Sequence, residues 1–442
     1  MNESIGSRFD GCLDIEAIRQ RITVRPDPVI DLASKDALVA AQILLEALEQ
    51  IYLPNDFSLS FIKEMSAKAA LHSQWLFSSQ VDYISRFYNP PDVEVKPVCL
   101  TGLAGVGKSQ TIAALRKVLP APIDFACDHF HGNLKLFSHW YVSARGKAGG
   151  RQLLADFVGA AGGNAAKLLV ECRRRANRDG VSLLLLDETQ HINTGQGASR
   201  VTEMLLTMAA IGPPMIYVSN YSLLHKLQGR NSEDKQRLLS EPWIMLPDDH
   251  DSESWRGYIA ECIRVAGGSI KGSVDDFSQE IYRSTFGIKR LVVQLLKHAY
   301  IAARGAGRDR FELADLTKAY QCVAYAANKE DVEVLHIQAL QRRSSRRRLD
   351  LLCPFELPAS LKSNIVAFTR NDRETRVINK VFVSSLTAGE REALEEIQPA
   401  AAKASRPKAP RKPSLPKPSM DDLEKAFLED LVTTPLPKPK KP

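Results

Sequence analysis

The octapeptide Gly102-Leu103-Ala104-Gly105-Val106-Gly107-Lys108-Ser109 fits the pattern G-x4-G-K-[S/T], and it lies between a strand-like apolar run and a helical one. Glycines in this spacing let the main chain wrap closely round a polyphosphate. Successive N–H groups and the N-terminus of the following helix then point at the anion. Lys108 adds a positive charge at the β and γ phosphates, and the Ser109 hydroxyl ligates Mg²⁺. Gly102, Gly105, Val106, Gly107, Lys108, Ser109 and Gln110 are therefore the expected ATP-binding set. Downstream, SLLLLDETQ (Ser182 to Gln190) is an apolar strand whose exit carries Asp187 and Glu188. Beside a phosphate loop, such a pair supplies one acid to the metal and a second to orient the attacking water. Asp187 is the expected Mg²⁺ partner and Glu188 the expected catalytic base.

The next apolar run, PMIYVSN, ends in Asn220, placed to hydrogen-bond the γ-phosphate or the attacking water. An asparagine that merely turns the chain at a strand end is the plainer alternative. Arg230 and Arg237 follow in HKLQGRNSEDKQRLL. An arginine there can reach the nucleotide of a neighbouring subunit and stabilise charge in the transition state, although a solvated helix face accounts for either one equally well. Phe286-Gly287-Ile288-Lys289-Arg290-Leu291 opens a further helix, from which Arg290 is expected at the phosphates. Asn328-Lys329-Glu330-Asp331 fits the N-K-x-D pattern of guanine readers, but it follows a helical segment instead of a strand, which argues against GTP.

These residues need a scaffold that brings strand ends together. Apolar runs PVCL, PIDFA, LLLLD and MIYVS alternate with helical stretches TIAALRKVL, QLLADFVGAA, VTEMLLTMAA and LLHKLQ, an order that implies a largely parallel sheet covered on both faces. From Ser252 the strand signal disappears, and WRGYIAECIRVA, SQEIYRSTF, IKRLVVQLLKHAYIAARG and LADLTKAYQCVAYAA read as a helical lid. Ahead of the core, Ser34 to Ile51 places Leu38, Ala41, Leu45 and Leu48 at helical spacing after a Ser34 cap. A second helical stretch runs from Leu59 to about Phe87. The expected organisation is a helical N-terminal extension (1–90), an α/β nucleotide-binding core (91–250), a helical lid (251–329), a region of unassigned fold (330–398) and a C-terminal tail (399–442).

The 442 residues exclude a peptide hormone or a lone binding module, and the charge is unevenly spread. From Pro399 onward there are ten prolines and ten Lys/Arg against five Asp/Glu, so the tail carries +5 of the net +7 and leaves the first 398 residues near neutral. That tail reads as an extended, solvated linker, interrupted at 419–433 by a short amphipathic helix with Leu423, Phe427, Leu428 and Leu431 on one face. A tethered helix of this size cannot bury its own face, so it reads as a docking peptide. Seven scattered cysteines without C-x-x-C pairs argue against a disulfide scaffold or a zinc site. No apolar run is long enough to span a bilayer, and a cytoplasmic protein without a membrane partner is expected.

With the P-loop, the LLLLDE strand, the Asn-ended strand, the intervening arginines and the GIKR helix in this order, the chain resembles an AAA+ ATPase. Within that class it is similar to the transposition regulators of the TnsC and TniB type, relatives of the IstB and MuB helper ATPases. The likeness lies in Leu184 to His191 (LLLDETQH), in GIKRLVVQLLKHAYIAA and in IYLPNDF (Ile51 to Phe57), and it covers about residues 50 to 325. Lys108, Ser109, Asp187, Glu188 and Asn220 match family positions. Arg237 and Arg230 fall where a subunit-bridging arginine is expected, and Gln190 and His191 match the string without a derived role.

The resemblance implies an α/β P-loop AAA+ core with a helical lid, to which the residues themselves add a helical N-terminal extension and a disordered C-terminal tail. It implies ATP hydrolysis to ADP and phosphate, and a homo-oligomeric ring or helical filament on double-stranded DNA that marks a target site. It also implies recruitment of transposase subunits and contact with a target-selection protein, with hydrolysis driving disassembly; in that context transposase subunits are the natural partner of the tail helix at 419–433, although the long tail itself departs from the family. Candidate DNA contacts are Lys135, Arg145, Lys147 and Arg151, and the cluster Arg342, Arg343, Arg346, Arg347 and Arg348 reads as a contact for nucleic acid or an acidic partner. The competing expectation is a P-loop scaffold or signalling protein that uses ATP as an assembly switch without touching DNA.

Overall fold

Alternation within the apolar runs decides which way each side chain faces. In the strand ending at Asp187, Leu183 and Leu185 join the core on one side of the sheet, Leu184 and Leu186 the core on the other, and all four are buried. That is the burial expected of a parallel strand covered twice by helices. The computed structural model describes residues 5, 8–93, 95–126, 133–147, 149–159, 163–192, 197–341, 348–357, 359–385, 387 and 390.

The chain opens with helices α1 (Ile15–Ile22), α2 (Ala37–Glu49), α3 (Asp56–Leu76) and α4 (Gln80–Tyr88). Strand β1 (Val98–Gly102) feeds helix α5 (Lys108–Val118), and β2 (Ile123–Ala126) pairs antiparallel with β3 (Asn133–Leu136) in a small separate sheet. Then come β4 (His139–Ser143), α6 (Gly150–Val158), α7 (Ala165–Arg178), β5 (Leu183–Asp187), α8 (Gly197–Ala209), β6 (Met215–Ser219), α9 (Tyr221–Gln228), α10 (Ser232–Leu238) and β7 (Glu241–Met245). The remainder is helical: α11 (Glu253–Val265), α12 (Val274–Thr285), α13 (Lys289–Gly305), α14 (Leu313–Gln321), α15 (Ala326–Gln341) and α16 (Ala359–Ser385).

The main sheet has the order β4-β5-β6-β1-β7, with every pair parallel. In a parallel sheet all C-terminal strand ends lie on one edge, so Gly102, Asp187 and Ser219 arrive side by side. Strand β6 separates β1 from β5, which seats Asn220 between the phosphate loop and the acidic pair. The chain is thus α/β, a parallel sheet with helices on both faces. Among the described residues, no helix is long and apolar enough to cross a membrane.

Several expectations need correction. PIDFA, expected in the parallel sheet, forms β2 of the small antiparallel sheet, and HWYVS, outside the expected strands, forms β4 at the edge of the main sheet. Helix α2 is capped by Asp36, whose carboxylate accepts from the Leu38 and Val39 amides, while the Ser34 hydroxyl donates to the Asp31 carbonyl. Leu38 is exposed, and Leu44 takes a place in the core. The stretch from Leu59 to Phe87 is two helices, divided where Ser79 caps α4. Helix α15 runs straight through Lys329, so no structural boundary falls there. Within 330–398 the described residues are largely helical, in α15 and α16.

The N-terminal helices do not stand apart from the rest. Ile18, Ile22, Phe61, Ile62 and Met65, from α1 and α3, pack with Leu100, Leu185, Ile216 and Leu115 on one face of the sheet. Leu44 and Leu48 of α2 join Trp255, Ile259, Val292 and Leu296 in the core of the helical region. Helices α1 and α3 of this segment therefore pack on the sheet, while α2 between them packs on the helical region. Residues 1–394 form one compact unit; residues 395–442, including 419–433, lie outside the described residues.

Candidate nucleotide site

The phosphate loop leaves β1 and enters α5 through backbone that only glycine adopts cheaply. Gly105 has φ +83° and Gly107, at the N-cap of α5, has φ +118°. A Cβ on Gly105 would meet Arg290 Nε at 2.8 Å and Arg290 Cβ at 2.9 Å, so the helical region rests directly on the loop. The same contact is made by the main chain, where the Arg290 amide donates to the Gly105 carbonyl at 3.3 Å. Arg290 reaches this place because Phe286 and Gly287 both take left-handed φ, at +53° and +70°, which turns the chain sharply between α12 and α13.

Lys108 donates to the carbonyls of Gly102 at 2.9 Å and Leu103 at 2.8 Å. Burial pushes its ammonium down to about 8, opposed by Glu188 and reinforced by Arg290. A phosphate beside it would favour the charged form. Ser109 Oγ donates to Asp187 Oδ1 at 3.1 Å. Asp187 is only 4% exposed, and burial raises its pKa against hydrogen bonds from the Glu188 amide and Ser109. Two hard oxygen donors side by side next to an anion loop fit Mg²⁺, which typically takes one or two protein oxygens and completes its shell with phosphate and water.

Glu188 follows Asp187 with φ +57°, left-handed backbone in a residue that is not glycine. Its carboxylate Oε2 accepts from Gln190 Nε2 and lies 3.1 Å from His191 Nε2. Asn220 caps α9 through Oδ1, which accepts from the Leu223 amide at 3.2 Å and the Ser222 hydroxyl at 2.8 Å. The chain-turning role and a place at the site therefore coexist, with the amide NH₂ as the donor that Asn220 offers the cleft.

These groups share one cleft of about 740 Å³, a size usual for small-molecule sites. Gly105, Gly107, Lys108, Ser109, Gln110, Asp187, Glu188, Asn220 and Arg290 all line it. Sequence reasoning missed part of the lining: Leu48 and Ile51 at the end of α2, Tyr258 of α11 and Val293 of α13 supply an apolar wall suited to a nucleobase. IYLPNDF held that signal, since Ile51 lines the cleft and Asn55 of the same string donates to Asp248 at 2.6 Å. Lys289, next to Arg290, also lines the cleft and pairs with Asp248 at 3.1 Å.

Arg145 is placed unexpectedly. It follows β4, whose Ser143 pairs in register with Asp187, and it lines the nucleotide cleft. Lys147 pairs with Asp156 at 2.6 Å, while Lys135 on β3 and Arg151 on α6 are exposed. Arg230 bonds to Asp234 at 3.1 Å and Ser199 at 2.7 Å, and Arg237 pairs with Glu233 at 2.9 Å; neither lines this cleft. Arg348 is engaged by Asp331 and Asp350, and Arg342, Arg343, Arg346 and Arg347 lie outside the described residues. Asp331 thus serves an ion pair on helix α15 and not a guanine base.

Strand order and loop chemistry together define a P-loop nucleotide-binding fold with a helical region over the phosphate loop. No protein-family model matches the chain, and no curated protein does. Solved structures similar to it include the Aeropyrum pernix ORC2 protein in its ADPNP-ADP complexes, at 11% identity and TM-score 0.38, covering 70% of this chain and 95% of that one. Drosophila ORC bound to DNA is similar at 16% identity and TM-score 0.40, covering 84% and 92%. The Thermotoga maritima RuvB Holliday junction branch migration motor follows at 14% identity and TM-score 0.32, covering 62% and 77%.

Proposed function

We propose that this chain is an AAA+ ATPase that assembles on duplex DNA in its ATP-bound form and regulates transposition, with hydrolysis releasing the assembly. The observation that carries the ATPase part is the convergence of the glycine loop, Lys108, Ser109, Asp187, Glu188 and Asn220 on a single cleft at one sheet edge. In that cleft the loop amides and Lys108 bind the β and γ phosphates of ATP. Ser109 and Asp187 hold Mg²⁺, which neutralises charge on the phosphates when bound. Glu188 orients the attacking water, the Asn220 amide donates to it or to the γ-phosphate, and Arg290 and Arg145 add positive charge. The apolar wall from Leu48 to Val293 takes the base. Arg237, or Arg230, serves the nucleotide of a neighbouring subunit. Support for the DNA and transposition parts comes from LLLDETQH, IYLPNDF and the GIKR helix, and from Lys135 and Arg151 as exposed cations. The tail helix at 419–433 is the proposed contact for transposase subunits, and a target-selection protein is a further partner.

Fluorescence anisotropy with a labelled duplex and a non-hydrolysable ATP analogue tests this reading. Binding is expected only with nucleotide, and it should weaken by orders of magnitude between about 50 and 200 mM salt. Lys108→Ala should lose nucleotide affinity by about tenfold or more, and DNA binding with it. ATP turnover without any nucleotide-dependent duplex binding would leave an ATPase and reject the DNA assembly in favour of a nucleotide-switched scaffold. No affinity for ATP would reject both.

A further inference from the structure

We infer that Gln190 and His191 are positioning residues for Glu188, fixing one carboxylate oxygen so that the other is presented to the attacking water. This rests on the reading of Glu188 as the residue that orients that water. Both side chains meet the same atom: Gln190 Nε2 donates to Glu188 Oε2, and His191 Nε2 lies 3.1 Å from it. An ionised carboxylate only accepts, so it selects the imidazole form that carries its proton on Nε2. With two donors on Oε2, the lone pairs of Oε1 remain for the cleft, which Asp187, Glu188, Gln190 and His191 all line.

The backbone supports the same arrangement. Left-handed φ at a glutamate is unfavourable and persists only where its surroundings impose it. Here Thr189 Oγ1 donates to the Val218 carbonyl at 2.7 Å, anchoring the turn to β6, and the His191 amide donates to the Glu188 carbonyl at 3.0 Å. The turn therefore folds residues 190 and 191 back over 188. A glutamate side chain otherwise rotates freely at a strand exit, and Glu188 is 33% exposed, so packing alone does not hold it. Neither donor needs to touch nucleotide; each acts through Glu188.

Steady-state ATPase kinetics and binding of a fluorescent ADP derivative, on full-length protein, test the inference. Gln190→Ala and His191→Ala should each lower kcat by about tenfold, with KM for ATP and ADP affinity unchanged. His191→Gln, whose amide also donates, should recover most of the loss. An unchanged or raised kcat in both alanine variants overturns the inference, and so does a loss of ADP affinity that matches the fall in kcat. Failure of His191→Gln to recover activity assigns the loss to packing and overturns it as well. If the unaltered protein binds ADP yet never hydrolyses ATP, Glu188 is no base and both readings fall; normal turnover with unimpaired variants removes this one alone.

Discussion

Burial sets the chemistry of individual residues more than proximity does. Lys108 is pushed down to about 8 and Asp187 is pushed up, although each has opposite charge nearby, because desolvation is the first cause in both. Away from the cleft the same effect makes a stability prediction. His72 is partly buried, its Nδ1 has no hydrogen-bond partner among the described residues, and burial lowers its pKa from 6.5 to about 4, aided by Arg8 and Arg86. Below pH 6.5 the unfolded chain takes up a proton that the folded chain refuses until about pH 4. The stability this histidine allows is therefore full above that window and is lost as pH falls through it, about 2 kcal/mol between roughly pH 7 and pH 5. His139, also lowered to about 4, acts in the same direction. In urea unfolding at those two pH values, His72→Phe should show a shallower dependence than the unaltered chain; equal dependence would refute the assignment.

At the level of elements, the segment from α2 to α3 ties together the two sides of the cleft. Asn55 caps α3 by accepting from the Ser58 amide at 2.9 Å, and it also donates to Asp248, which in turn holds Lys289 at the head of α13. A cap alone is worth about 1 kcal/mol, and a hydrogen bond to a charged group about 1.5 to 3 kcal/mol. Asn55→Ala should therefore cost about 2.5 to 4 kcal/mol in denaturant unfolding. Asn55→Asp separates the two parts, since aspartate caps a helix well but sets a carboxylate against Asp248. It should be no more stable than Asn55→Ala at neutral pH; recovery to the unaltered level would show that only the cap matters. IYLPNDF was legible as a string, but its role as a brace depends on residues nearly two hundred positions away.

For the whole molecule, the question is whether one chain holds a complete site. Arg230 and Arg237 are both in local ion pairs outside the cleft, where a residue serving another copy's nucleotide would have to be. Under the proposed assembly, Arg237→Ala and Glu188→Gln should each bind ATP and hydrolyse little. Mixed together they should regain turnover, because some contacts between copies then pair an intact Glu188 with an intact Arg237. A mixture no faster than the mean of its components would assign Arg237 to the surface and leave Arg230 as the remaining candidate, to be mixed in the same way.

Contiguous chemistry was readable in the sequence by itself. The phosphate loop, the Asp187-Glu188 pair and the Asn-ended strand each lie within a few residues, and the strand or helix that delivers them is encoded by local periodicity. That periodicity also fixed which side chains face the core, as in Leu183 to Leu186. It does not say which strand lies beside which, because any two apolar strands satisfy the same alternation. Only the tertiary structure set β6 between β1 and β5, put HWYVS instead of PIDFA into the main sheet, laid Arg290 on Gly105 and brought Arg145 into the cleft. It likewise divided the N-terminal helices between two cores and folded Gln190 and His191 onto Glu188. Each of these depends on packing between segments distant in the chain, or on a backbone turn whose conformation is imposed from outside it.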